Sequence, residues 1–246
     1  MTRIAIMQPT FLPWLGYFAL IDRVDRFLFL DDVQFSRQSW QSRNRLKGPE
    51  GAVILPLAVA RKPSRPLIRD ARLAETGFEG KLIATAENLL AKTPHGDLAL
   101  SILRQGFDRA RGSLAALNIA IIESICTATG IDTPRQTTGS LGVGSGEKTD
   151  RLIRLCQHCG AGGYLSPIGS AAYLEGDDSF DQAGIDLAFL NYTHPVYPQR
   201  FSPFLSHLSA LDALAHVGPD AFLPLVRSGV GPDLTLTDLK DIHAPT

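Results

Sequence analysis

Residues 3–32 read RIAIM at Arg3–Met7, QPTFLPW at Gln8–Trp14, GYFALIDRV at Gly16–Val24 and FLFLDD at Phe27–Asp32. Arg3–Met7 is a short apolar run rich in Ile, the pattern of a strand buried on both faces, and it stops at Gln8-Pro9. Tyr17, Phe18, Leu20, Ile21 and Val24 form one helical apolar face. Phe27–Leu30 is a second buried strand ending in Asp31-Asp32. Strand, helix, strand implies a parallel pair whose C-terminal ends share one rim, so Gln8–Trp14 and Asp31–Phe35 converge where open α/β sheets bind ligands.

Further along, Ala52–Leu57 reads as a third strand, while residues 36–47 show little apolar periodicity. Residues 78–130 look helical, with breaks near Pro94-His95-Gly96 and Gly112-Ser113, which fits three amphipathic helices. Thr137–Gly146 has the composition of a linker or flexible loop. A helix is expected from about Glu147 to Cys159, strands at Gly163–Ser166 and Asp186–Leu190, and a helix around Leu208–His216. The predicted architecture is α/β: a parallel-sheet core opening with a β-α-β unit, in one domain over 1–227 with a helical insertion at about 76–130. Residues 228–246, rich in turn residues, are expected to form a tail.

The chain has 246 residues, 24 Lys+Arg against 25 Asp+Glu and a net charge of -1. At this length folding buries about 70–75% of the unfolded chain's surface, so neither disulfides nor a structural metal is needed. A near-neutral balance argues against nucleic-acid binding, which needs a basic excess. No apolar run is long enough for a membrane span, and Gln8, Pro9 and Pro13 interrupt any leader-like stretch. Three cysteines, with Cys156 and Cys159 as an isolated pair inside a predicted helix, agree with a reducing compartment, and a cytoplasmic location is expected.

Eight of the 19 aromatic residues fall within the first 40 positions. Phe11, Trp14 and Trp40 lie in predicted rim loops, where an aromatic face lines a sugar or base pocket or plugs the gap between loop and sheet. Tyr17 and Thr10 stand close by. No acidic residue lies between Asp32 and Glu50, yet Arg37, Arg43, Arg45 and Lys47 do, beside Gln34, Gln38, Gln41 and Asn44. That is an anion site in composition, suited to a diphosphate, or else a solvated polar loop. Asp31 and Asp32 either hold Mg²⁺ or a sugar hydroxyl, or pair with the arginines.

Lys148 and Arg151 open a helix, where free amides favour a phosphate, or they are plain surface charges. Ser166, Gly169, Ser170 and the nearby Tyr173 make another rim loop with hydroxyls and a close backbone approach. In His194-Pro195-Val196-Tyr197-Pro198-Gln199 two prolines fix the backbone while His194, Tyr197 and Gln199 offer polar groups. His194 is the best general-base candidate, and Asp212 could orient it or His207.

The blocks Ile6–Phe18, Asp31–Phe35, Trp40 with Arg43-Asn44-Arg45, Lys148–Leu152, Tyr164–Ser166 with Gly169 and Tyr173-Leu174, and His194–Gln199 together resemble the WbqC-like family over about residues 3–217. The resemblance implies a bacterial protein of O-antigen and other surface-polysaccharide or modified-sugar pathways, a link of pathway and not of defined chemistry. At fold level the opening is also similar to that of the nucleotidylyltransferases and pantothenate synthetase. Trp14-Leu15-Gly16-Tyr17 stands in place of their HxGH-type motif, and both histidines are absent, so that chemistry does not carry over.

Taken together, these readings predict an enzyme that modifies a nucleotide-linked amino sugar, by acyl or aminoacyl transfer and with ATP and Mg²⁺ as candidate cofactors. Arg43, Arg45, Lys148 and Arg151 would bind phosphates, Trp14 and Trp40 line the pocket, Asp32 bind a hydroxyl or Mg²⁺ and His194 move a proton. The competing reading is a non-catalytic sugar-nucleotide-binding accessory protein working with other polysaccharide-pathway enzymes.

Overall fold

The computed structural model describes residues 1–144, 146, 148–174 and 178–243. Five strands, β1 (Arg3–Met7), β2 (Arg26–Phe29), β5 (Arg135–Thr137), β6 (Gly163–Pro167) and β7 (Asp186–Leu190), form one sheet in the order β5-β2-β1-β6-β7, every pair parallel. Strand order therefore reverses between β1 and β6, and at such a switch point the loops leaving the two strands diverge and open a crevice.

Alternation along the strands divides the core in two. Ala5, Phe27, Phe29 and Leu165 face α1 (Leu15–Asp22), α4 (Leu114–Thr129) and α8 (Ala210–Ser228). Ile4, Ile6, Leu28 and Tyr164 face α5 (Lys148–His158) and α7 (Ser179–Gln182). Both faces are covered, which is why these strands read as continuous apolar runs.

Between β2 and β5 the chain inserts an antiparallel hairpin, β3 (Arg43–Gly48) with β4 (Gly51–Pro56), and then α2 (Phe78–Leu90), α3 (Gly96–Ala110) and α4, the three helices expected over 78–130. The hairpin corrects the reading of 36–47 as unpatterned loop. Asn44 and Leu46 point into the core and Arg43 and Arg45 outward, so the buried face itself carries a polar residue and the period-2 signal is lost. Thr137 ends β5, and Thr138 beyond it is buried, so the start of the Gly/Ser/Thr stretch is not a linker.

The last large helix is also longer than expected. α8 runs to Ser228 through a break at Gly218 (φ 78°), where Pro219 starts a new turn and a Cβ would lie 2.4 Å from His95 Nε2. Residues 229–235 then run along β7, with Val230 bridging Tyr192 and Leu234 bridging Phe189 before α9 (Leu236–His243). This segment covers the edge of β7 that would otherwise expose unpaired amides. Among the described residues no helix is long and apolar enough to cross a membrane.

Candidate functional site

A cavity of about 650 Å³ opens at the carboxyl ends of β1, β2 and β6, over the β1/β6 switch point. Ile6, Met7, Leu30, Val33, Leu152 and Leu174 supply much of its apolar wall. Gln8, Thr10, Trp40, Gln41, Arg151 and Gly169 supply polar or aromatic groups. An apolar cleft with a few placed polar groups at this position is the usual form of a small-molecule site.

The rim loop after β1 is held by side-chain amides. Asn118 on α4 donates through Nδ2 to the carbonyls of Pro9 (3.0 Å) and Gln41 (2.9 Å). Asn44 on β3 donates to Phe11 O (3.0 Å) and Leu12 O (2.7 Å), fixing Leu12 at φ 47°. Gln41 Nε2 donates to Gln8 Oε1 at 2.6 Å, and Gln41 Oε1 accepts from Ser36 N at 3.0 Å. Asn44 is therefore spent on the scaffold. Asn118 escaped the sequence reading, and its one signal was a lone amide in the apolar run LAALNIAII.

Opposite this loop, α5 presents Arg151, whose Nη2 donates to Asp32 Oδ1. Thr138 Oγ1 donates to the same carboxylate oxygen, and Asp31 Oδ1 accepts from Gly139 N at 2.8 Å. Asp32 thus pairs with Arg151, an arginine from α5 and not one of its sequence neighbours, while Asp31 is in no ion pair and holds the turn after β5. Donors occupy Oδ1 of both acids, and no group of three His, Cys, Asp or Glu that could hold a metal ion converges among the described residues. Arg151 Nε is buried without a partner.

The expected anion cluster at 37–47 does not converge. Arg37 is tied to the carbonyls of Val59 (3.3 Å) and Ala60 (2.7 Å), Arg43 is exposed on β3, and Lys47 is buried with its Nζ on Pro203 O. Only Arg45 reaches the site, its guanidinium 5.3 Å from the Trp40 ring centre. Arg37 precedes the strand, and although Arg43, Arg45 and Lys47 share one face of β3, separate carbonyls capture Arg37 and Lys47 while Arg43 is exposed. Gln34 is exposed and bridges Leu67 outside the cavity wall.

Of the two readings of Phe11, full burial gives the plug between loop and sheet, while Trp40 is 52% exposed over the cavity. Trp14 caps α1 and lays its indole against Gly16, where a Cβ would meet it at 2.3 Å. Tyr17 is buried, and its hydroxyl donates to Gln8 O at 3.1 Å.

His194 sits behind Trp14, the ring centres 6.2 Å apart and nearly parallel, and 5.0 Å from the His207 ring. Its Nδ1 contacts Pro195 O at 2.9 Å; a carbonyl only accepts, so Nδ1 holds the proton and Nε2 is a bare acceptor, buried and unpartnered. Burial pulls its pKa below the ordinary value, partly opposed by that carbonyl bond. Asp212 does not orient it or His207. It accepts instead from Tyr197 OH (2.9 Å) and Lys47 N (3.0 Å), with His216 Nδ1 3.6 Å away. Burial raises the pKa of Asp212, and burial with the facing Asp212 raises that of Tyr197.

Gln199 closes a loop on Leu205, through Nε2 to O (2.8 Å) and Oε1 from N (2.9 Å). Ser166 is buried with its Oγ 2.6 Å from Ser170 Oγ, and Ser170 lines the cavity. The side chains of Lys148 and Tyr173 lie outside the described residues. The structure thus gathers Gln8, Thr10, Trp14, Tyr17, Trp40, Arg45, Arg151 and Gly169 around connected cavities and assigns Asn44, Tyr197 and Gln199 to holding loops.

A doubly wound parallel α/β protein with a ligand-sized cavity at its switch point is the class these features define. The chain belongs to the WbqC-like protein family, whose profile matches residues 8–223. It is 29% identical over 230 residues to the uncharacterized protein Rv1507c of Mycobacterium tuberculosis (strain ATCC 25618 / H37Rv), an alignment covering 90% of this chain and 96% of that one. No solved structure matches the chain.

Proposed function

We propose that the chain is an enzyme of bacterial surface-polysaccharide synthesis that binds a nucleotide-linked amino sugar in the switch-point cavity and modifies it by acyl or aminoacyl transfer. The observation that carries this reading is the position of the 650 Å³ cavity over the β1/β6 crevice, with Arg151 in its wall. The apolar wall and Trp40 suit the flat faces of a base or sugar, and Arg151 is the cation of that wall suited to a phosphate. Of the four cations expected to bind phosphate, Arg43, Arg45, Lys148 and Arg151, this reading keeps Arg151. ATP and Mg²⁺ belong to this proposal as the energy source of an amide-forming step.

A binding-only role beside another pathway enzyme is the second reading. It is favoured by His194, whose bare Nε2 stands behind Trp14 and not on the wall of the larger cavity.

Thermal shift with UDP- and dTDP-linked amino sugars, with and without Mg-ATP, tests both. A ligand at 100 times its Kd adds about 2.7 kcal/mol, or about 5–10 °C for a chain of this size. A sugar-nucleotide shift that grows with Mg-ATP supports the enzyme, and one indifferent to it supports the binding role. No shift with any sugar nucleotide ends both.

A further inference from the structure

Beside the larger cavity lies a smaller one of about 160 Å³, walled by Trp14, Tyr17, Arg45 and His207, and the two share Met7, Thr10 and Trp40. One residue of its wall, Arg45, has a buried Nε without a partner, and two more such atoms, His194 Nε2 and Tyr192 OH, sit on rings that pack against another wall residue, Trp14. Such atoms are rare in folded proteins, and the one in the wall calls for a cause.

Arg45 points to that cause. Among the described residues no carboxylate pairs with it. Its Nη2 gives one long bond to His207 O at 3.3 Å, and its Nε gives none. Nε and Nη2 form the side edge of the guanidinium, which grips both oxygens of a carboxylate. The Trp40 ring lies over the guanidinium, 5.3 Å from ring centre to Cζ, and is about half exposed, with open space to move aside. The volume is well under the roughly 300–1,000 Å³ of a site for a whole drug-sized ligand.

We infer that the smaller cavity is a carboxylate subsite: Arg45 binds the carboxylate through Nε and Nη2, the indoles of Trp14 and Trp40 flank a skeleton of a few carbons, and Trp40 swings off Arg45 as the group enters. A slot with one guanidinium and flat walls matches a planar, singly charged group better than a phosphate. The carboxylate arrives either on a free small acid or as the acidic arm of the ligand held next door, since Thr10 and Trp40 border both compartments. The second source rests on the function proposed above.

The chain has two tryptophans, Trp14 and Trp40, and both line this subsite, so intrinsic fluorescence reports on it directly. Wild type is titrated with glycolate against glycolamide, and with UDP-glucuronate against UDP-glucose. The acid of at least one pair should bind about tenfold tighter or better than its neutral partner, with a saturable change in emission. Arg45→Gln should erase the preference and Arg45→Lys keep part of it. Trp40→Phe should keep the preference and lose most of the emission change, which preserves the test if Arg45→Gln does not fold. A preference in the glycolate pair identifies a free acid, and one confined to UDP-glucuronate identifies the sugar's arm.

Acid and neutral partner within twofold in both pairs, or a preference that survives Arg45→Gln, overturns the subsite. Equal binding of the two sugar nucleotides, with no preference in the glycolate pair, overturns it and leaves the larger cavity's reading standing. Glycolate binding with no response to either sugar nucleotide does the reverse. Silence from all four ligands removes both.

Discussion

Arg151 on α5 donates to Asp32 at the end of β2, an ion pair whose side chains are 8% and 13% exposed and which ties the wall of the cavity to the sheet. Removing one member leaves the other charge largely out of water. Arg151→Ala should therefore cost on the order of 3 kcal/mol, and Arg151→Ala with Asp32→Ala should cost less than the sum of the singles. Urea unfolding of the four proteins measures this, and strict additivity would show that the pair carries no coupling.

Tyr197 and Asp212 make a second buried contact, joining the loop after β7 to α8 and, through Lys47 N, to β3. Tyr197→Phe removes one donor to a fully buried carboxylate and should cost about 1–3 kcal/mol. Asp212→Ala, which orphans both the phenol and the Lys47 amide, should cost more. Chemical denaturation ranks the two, and a reversed order would contradict the assigned bonds.

The pKa of His194 lies below the ordinary imidazole value because burial penalises the cation, an effect its bond to Pro195 O partly offsets and nearby His207 reinforces. Below about pH 6.5 the unfolded chain takes up this proton while the folded chain does not until the pH is lower still. The unfolded state then holds more protons, so stability falls as pH drops through that window and is restored above it. Wild type should lose more stability between pH 7.5 and 5.5 than His194→Gln does, and equal losses would assign the acid sensitivity elsewhere.

Thiol reactivity should be split. Burial pushes Cys126 and Cys156 up to about 12, whereas Cys159 is partly exposed. A thiol-disulfide reagent should label Cys159 promptly in the native protein and all three after guanidine. Prompt labelling of two would show α5 to be opening.

Most of the sheet was legible because both of its faces are covered: Ile4–Met7, Phe27–Leu30 and Leu187–Leu190 are short apolar runs of strand length, the pattern of a strand buried on both faces. β3 was not legible, since Arg43, Asn44 and Arg45 hide a hairpin whose inward face includes an amide. The rim residues Thr10 and Trp14 follow from the end of β1, which sequence locates well, and Arg151 from the start of α5. The arginines at 37–47 misled because composition cannot say where each guanidinium goes: Arg37 turns to backbone carbonyls, and Arg43 faces solvent. Asn118, which pins the rim from a distance of 77 residues or more in sequence, leaves a trace that only the fold interprets.

The order β5-β2-β1-β6-β7 also governs assembly of the molecule. Phe29 pairs with Thr137 and Arg3 with Gly163, so apart from the β1–β2 and β6–β7 steps the sheet joins segments more than a hundred residues apart. Closing such loops costs entropy before any contact repays it. The helices α2–α4, consecutive in sequence and packed on one another, are placed to form first. The β1–β6 junction, which spans the longest loop of the sheet, forms among the last, so a chain that refolds slowly should recover ligand binding later than helical signal.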